Sequence, residues 1–312
     1  INYGYYINDF FPRTSRVIQK INQLINVFAI SKFSPQIIHQ TYYTSPLYKT
    51  INCPKIVTVF DMIHELIYNK HPKYQYVLKH KKKSINSADH IICISENTKN
   101  DLINIYDIDE KKVSVVYLGH EIINKSPTYF ENLNNLEKPF LLYVGLRDNY
   151  KNFFGFLKAM TLSKSLMRDF NVIAFGGGKF SKLENEKIKE LGFFDDQVRQ
   201  INGSDMILTD YFKKAYAFIY PSLYEGFGLP PLEAMANDCP VIVSNNSSLP
   251  EVIGKAGEFF SALDIEDINR AINKVVYNES YKSKLIQEGK KQVKNFSWEK
   301  CGKETLEIYR NL

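Results

Sequence analysis

Six side chains in this chain have the types and positions to take part in binding or chemistry. Glu225 and Glu233, with seven residues between them, bracket a loop rich in glycine and proline. Arg147 and Lys151, four apart, directly follow the apolar run Phe140-Leu141-Leu142-Tyr143-Val144. Asp61 and His64 follow the apolar run that ends at Phe60. Carboxylates accept hydrogen bonds from hydroxyls, and a pair of cations can hold a phosphate. Spacing alone leaves blander readings open: acidic residues favour first helical turns for dipole reasons, and cations at a turn can be surface charge.

The elements that must position these groups can be read from the pattern. In the stretch 216–236 an apolar run at Ala217-Phe218-Ile219-Tyr220 passes through Gly226 and Gly228 into a helical pattern that carries Pro230 and Pro231. Proline suits the first helical turn, where its missing N–H would have no partner. Glycine lets the backbone come close to a ligand, and a helix start presents N–H groups to an anion. Apolar runs at 37–39, 55–60, 90–94 and 113–117 alternate with helical patterns, as do those at 140–144, 171–175, 198–201, 217–220 and 240–244. Such β/α alternation implies mostly parallel sheets covered on both faces, with ligands beyond the carboxyl ends of the strands. Val17, Ile18, Ile21, Leu24, Ile25 and Phe28 have helical spacing, and helical patterns run from Ile265 onward. The polar, turn-forming stretch 123–138 reads as a linker between two domains.

Three strings carry a family resemblance. Pro221-Ser-x-x-Glu225-Gly226-Phe227-Gly228-Leu229-Pro-x-Leu-Glu233-Ala-Met-Ala236 resembles the donor-site signature of retaining glycosyltransferases of family 4. Gly145-x-Arg147-x-x-x-Lys151-Asn152 is similar to the same family's diphosphate site, and residues 58–65 to its loop bordering acceptor and donor sugar. The resemblance implies an α/β protein of the GT-B fold, two Rossmann-like domains whose parallel sheets face a central cleft. It implies domains at 1–122 (acceptor) and 139–296 (nucleotide sugar), with a last helix at 297–312 crossing back to the first. For the donor it implies Gly145, Arg147 and Lys151 at the diphosphate, Gly177 in a glycine turn beside it, and Glu225 on the sugar hydroxyls. Glu233 would hold the ribose, and the backbone of Gly226, Phe227, Gly228 and Leu229 would lie beside sugar and phosphates. Asp61, His64, Arg147, Lys151 and Glu225 form the expected catalytic set, and Tyr42, Tyr43 and Ser95 the expected acceptor side. Ser95 reads first as the N-cap of the next helix. The chain departs from the commoner family pattern at Phe60, where histidine is usual, and the family's first strand and glycine loop are not found before Arg13. The N-terminal domain is therefore expected to be short or truncated.

The resemblance implies transfer of a hexose from a GDP- or UDP-linked donor, with mannose favoured, to a glycan or lipid-linked hydroxyl without a metal. An epimerase on the same fold and a non-catalytic sugar-nucleotide-binding subunit are the alternatives. Asp107-Ile108-Asp109 has the spacing of a metal-holding pair and also reads as a connecting turn. The run 79–83, Lys-His-Lys-Lys-Lys, reads as a solvated helix face or as a patch for anionic lipid, each lysine near such a surface contributing about 1 kcal/mol. With 44% hydrophobic residues, 24% charged residues and a net charge of +6, the chain is too mildly and diffusely basic to argue for nucleic acid. The four scattered cysteines suggest free thiols in a reducing compartment, and no apolar run reaches the roughly 18–20 residues of a membrane span. A cytoplasmic protein, with peripheral membrane contact through 79–83, is the expectation.

Overall fold

The computed structural model describes residues 18, 21, 25, 32, 34–43, 52–120, 138–147 and 149–312. They divide into two compact units. One takes the described residues up to Cys93 with Lys99–Val115 and Leu306–Leu312; the other takes Ile94–Thr98 and the described part of Val116–Thr305. Ile18, Ile21 and Ile25 are helical, while the remaining positions of that helical period, the start of the chain, residues 121 and 122 and residues 123–137 of the linker lie outside the described residues.

Among the described residues the first unit holds four strands, β1 (Ile38–Gln40), β2 (Lys55–Val59), β3 (His90–Cys93) and β4 (Val113–Val115), parallel and in that order. Val57 pairs with Gln40 on one side and Ile91 on the other. Ile56, Val57, Val59, Ile91 and Cys93 are fully or almost fully buried, as expected of strands covered on both faces. The helix Gln75–Ser87 lies in the connection from β2 to β3.

The second unit has six parallel strands: β5 (Phe140–Val144), β6 (Asn171–Phe175), β7 (Val198–Ile201), β8 (Ala217–Tyr220), β9 (Val241–Ser244) and β10 (Gly257–Phe260). Their order is β10-β9-β8-β5-β6-β7. The chain moves outward from β5 in one direction through β6 and β7, then returns to place β8 on the other side of β5. Connections leave β5 and β8 on opposite faces at such a reversal, so a crevice opens beyond their carboxyl ends. Arg147 and Lys151 follow β5, and Glu225 follows β8.

The core of this unit is built from continuous apolar strands and one-sided helices. Tyr143, Phe153, Phe156, Ile219, Ile242 and Ile272 are almost wholly buried in one cluster, each such side chain worth about 1.5–3 kcal/mol of transfer free energy. The helix Ile265–Val276 buries Ile268, Ala271, Ile272, Val275 and Val276, and Asp264 caps its start by accepting from the N–H groups of Glu266 and Asp267. β10 was not expected from sequence. It is a short edge strand that opens on glycine and carries Glu258, which breaks the apolar run. The carboxylate is tolerated because Arg270 (2.6 Å), Lys274 (2.8 Å) and the Tyr281 hydroxyl (2.6 Å) all donate to it. Burial alone would raise its pKa; these donors outweigh that and hold it below the usual carboxylate range. The last helix is Trp298–Arg310, and no helix among the described residues is long and apolar enough to cross a membrane.

Candidate functional site

At the reversal point the structure brings two of the expected residues into contact. Lys151 Nζ donates to Glu225 Oε1 at 2.7 Å and to the Tyr220 hydroxyl at 3.1 Å, with its side chain only 14% exposed. Tyr220, at the end of β8, is fully buried. Its phenol is pushed well above the usual tyrosine range, first by burial and then by the neighbouring Glu225 carboxylate, so it stays a neutral donor. The Tyr150 and Tyr220 rings lie 5.2 Å from the ammonium. The result is a cation and a carboxylate held side by side in a place of low dielectric, where each acts strongly on a third group.

The loop after Glu225 is fixed through its carbonyls. Ser248 Oγ donates to the carbonyls of Glu225 (3.0 Å) and Phe227 (2.9 Å), and Thr98 Oγ1 donates to that of Gly226 (3.3 Å). A trans peptide points its C=O and N–H in opposite directions. The N–H groups of Gly226 and Gly228 are therefore turned away from the Ser248 hydroxyl, and that of Phe227 from Thr98. Ser247 completes the frame by accepting from the Glu225 N–H at 2.8 Å. Gly228 has φ +111° at the N-cap of the helix Leu229–Ala236, and a Cβ there would sit 2.9 Å from Leu249 Cδ2. Phe227 offers its backbone only, because its ring packs against Tyr117 and Phe296. Ser247, Ser248, Thr98 and Tyr220 were not singled out from sequence; they stand next to signature residues in space and carry no motif of their own.

Arg147 stands differently from the expectation of an open diphosphate receptor. Its Nε donates to Glu184 Oε1 at 2.6 Å, Nη1 to the Gly176 carbonyl at 3.0 Å, and Nη2 to the Gly178 carbonyl at 3.0 Å, while its guanidinium lies 4.8 Å from the Phe180 ring centre. The fork thus ties together a turn of three consecutive glycines, Gly176, Gly177 and Gly178, at φ +88°, +72° and +74°. A Cβ on Gly177 would meet Arg147 Nη1 at 2.5 Å and the Gly145 carbonyl oxygen at 3.0 Å, so a side chain there would press on the arginine fork. Gly145, with φ +132°, lets the chain turn out of β5 toward this loop. Glu184 was missed from sequence because it reads as an ordinary helix-start acid. It does close a capping box with Ser181, and its second role with Arg147 is visible only in three dimensions. Burial alone would raise its carboxyl pKa, but the bonds from Arg147 and Ser181 hold it low.

Glu233 lies in a second environment. With His120, Asp205, Thr209, Asn237 and Trp298 it lines a cavity of about 260 Å³. Burial first, and the Asp205 carboxylate second, raise its pKa. If Glu233 grips hydroxyls as an anion, ligand affinity should fall as pH drops through a value above the usual carboxylate range, and Glu233→Gln should flatten that profile. A carboxyl with a raised folded-state pKa favours the folded state on protonation. Acid loss of binding with no loss of unfolding temperature, read by calorimetric titration beside thermal melts, is therefore the expected pattern.

In the first unit, Asp61 follows β2 and His64 lies in the one-turn helix Ile63–Leu66 that comes after it. Asp61 Oδ1 accepts from the Ile63 N–H at 3.0 Å. His64 packs its ring 5.0 Å from that of Tyr74, and its buried Nδ1 has no hydrogen-bond partner among the described residues. Of the expected acceptor aromatics, Tyr42 is 57% exposed, whereas Tyr43 turns its hydroxyl to the Phe60 N–H at 3.4 Å and its ring to Lys81. Ser95, which belongs to the second unit, has no exposed surface, and its hydroxyl accepts from the Thr98 N–H at 3.0 Å as the N-cap of the helix Glu96–Tyr106. The run 79–83 also needs correction. Lys79, Lys82 and Lys83 are exposed, but Lys81 is completely buried and paired with Glu65 at 2.8 Å, because it falls on the inner face of the helix. Asp109 caps the turn Glu110–Lys112 by accepting from the Lys111 N–H, the connecting-turn reading of that pair.

Residues 125–292 match the family model described as Glycosyl transferases group 1, and residues 3–122 match that described as Glycosyltransferase Family 4. The chain is 31% identical over 255 residues to the O-antigen chain mannosyltransferase B of Escherichia coli, covering 78% of this chain and 66% of that protein. It is 28% identical over 246 residues to the O-antigen chain mannosyltransferase RfbU of Salmonella typhimurium, covering 77% and 65%. The chain thus spans slightly under two-thirds of these curated relatives. Among solved structures, sucrose-phosphate synthase from Thermosynechococcus elongatus has a TM-score of 0.79 over 97% of this chain and 80% of its own, at 21% identity. That likeness shows the fold, GT-B, with two α/β units built on parallel sheets.

Proposed function

Because the chain belongs to the glycosyl transferases group 1, within glycosyltransferase family 4, we propose that it is a retaining hexosyltransferase working from a nucleotide-diphosphate sugar. The observation that carries this reading is the Lys151–Glu225 pair at the strand reversal of the second unit. A sugar needs a carboxylate for its hydroxyls, and a departing diphosphate needs fixed positive charge; here both stand 2.7 Å apart. In the proposed reaction the bond from the sugar C1 to the diphosphate oxygen breaks while a bond from C1 to the acceptor oxygen forms on the same face. The acceptor proton passes to the departing phosphate. Lys151 and Arg147, with the N–H groups of Gly226 and Gly228, stabilise the charge that gathers on the diphosphate, a task that removes the need for a metal. Glu225 orients the sugar and Glu233 the ribose. Asp61 and His64 serve the acceptor.

The names of the curated relatives favour mannose, and with it a GDP-linked donor, over the UDP alternatives. A glycan or lipid-linked hydroxyl is the matching acceptor, and the exposed Lys79, Lys82 and Lys83 suit a protein that meets such an acceptor at an anionic membrane surface. The test is incubation with GDP-mannose and UDP-hexoses in EDTA, with short mannosylated lipid or glycan acceptors, followed by product analysis. An α-linked product from an α-linked donor, formed without metal, is expected. An inverted product, a strict metal requirement, an epimerised nucleotide sugar, or binding without turnover would each contradict it.

A further inference from the structure

Lys81 is a completely buried lysine in the first unit, on the helix Gln75–Ser87, that the proposed chemistry does not use. Its ammonium donates to Glu65 Oε2 at 2.8 Å and to the backbone carbonyl of Asp61, and it lies 5.3 Å from the centre of the Tyr43 ring. Of the three hydrogens of the ammonium, two are taken by Glu65 and the Asp61 carbonyl, and the Tyr43 ring lies near the charge. Glu65 is tied on its other oxygen by the Tyr106 hydroxyl at 2.8 Å. The turn after β2 is thus held at both ends, at Asp61 and at Glu65, with His64 between the two holds. A further bond fixes the residue before it, where the Phe60 N–H donates to the Tyr43 hydroxyl at 3.4 Å.

A buried ion pair is a poor way to gain stability, since apolar side chains of the same volume usually do as well or better. What the lysine supplies that a methionine cannot is a directional hold on the Asp61 carbonyl. We infer that Lys81 is a positioning residue, which sets the Asp61–His64 turn for the acceptor step of transfer, acting with Glu65. This inference rests on the assignment of that turn to the acceptor.

The experiment compares wild type with K81M/E65Q, which removes both charges and leaves no lone buried ion, and with K81M, E65Q and D61A. Each is read by thermal unfolding, by calorimetric affinity for GDP-mannose, and by initial rates of transfer and of donor hydrolysis at varied acceptor. The double variant is expected to melt near wild type and to bind donor within about twofold of it. Its transfer efficiency toward acceptor should fall by at least about tenfold, with hydrolysis undiminished, as expected for misplaced reacting groups. E65Q, which keeps an acceptor for Lys81, should show a smaller fall of the same kind. Wild-type transfer by a folded K81M/E65Q overturns the inference. Should the double variant fail to fold, wild-type transfer by folded K81M, in which Glu65 keeps the Tyr106 hydroxyl, overturns it, and a selective fall in acceptor efficiency supports it. If D61A also transfers normally, the acceptor assignment of the turn falls; if D61A is impaired while K81M/E65Q is not, only the role of Lys81 falls.

Discussion

Replacing Arg147 with alanine is expected to lower nucleotide-sugar turnover by about 10²–10³-fold, the usual cost of one preorganised donor to developing charge. Two losses combine. The segment after β5 loses its guanidinium, and the glycine turn loses the fork that donates to the carbonyls of Gly176 and Gly178. Glu184, with a side chain 19% exposed, loses its guanidinium partner as well. The two contributions separate in measurement: steady-state kinetics report the charge, and amide hydrogen exchange across residues 176–180 reports the turn. Arg147→Lys should restore some charge but little of the turn, because an ammonium cannot reproduce the planar fork. Normal exchange in Arg147→Ala together with normal turnover would remove Arg147 from both roles.

Gly228→Val should have the largest effect on stability, a loss of roughly 2–4 kcal/mol in the second unit and a fall in unfolding temperature of roughly 5–10 °C. Two causes act together. A β-branched residue at φ +111° is strained whatever the space, and its Cβ would meet Leu249 Cδ2 at 2.9 Å. The neighbouring helix starts at Leu229 with prolines in its first turn, so the backbone has little freedom to escape the strain. Gly178→Ala is the control. It too has a positive φ, +74°, but nothing lies within 4 Å of its Cβ, so only about 1 kcal/mol of backbone strain is expected. Thermal melts of both variants decide the matter, and equal losses would show that the contact with Leu249 contributes nothing.

The strands of the second unit were legible because they are short continuous apolar runs punctuated by glycine, proline and polar turns. β5, β6, β7 and β8 begin and end where the pattern places them. β10 was hidden by Glu258, whose three donors come from residues further along the chain. The same limit governs the site. Arg147, Lys151 and Glu225 stand out as residues, but the partners that define their state are distant in sequence: Lys151 and Glu225 are 74 residues apart, Arg147 and Glu184 37 apart. Lys81 was read as one of a run of surface charges because its partner Glu65 lies 16 residues away on another element. A like-charge run on a helix does not say which member faces inward; the 3.6-residue period does so only once the apolar face is known.

The proposed chemistry requires that the Lys151–Glu225 corner hold a nucleotide sugar. Its most direct test is calorimetric titration of GDP-mannose, and of UDP-linked hexoses, into the protein in EDTA, with Lys151→Met alongside. The prediction is saturable binding of one nucleotide class without metal, weakened at least about tenfold by Lys151→Met with the fold intact. Binding that Lys151→Met leaves unchanged, or that appears only when a divalent metal is added, would contradict it.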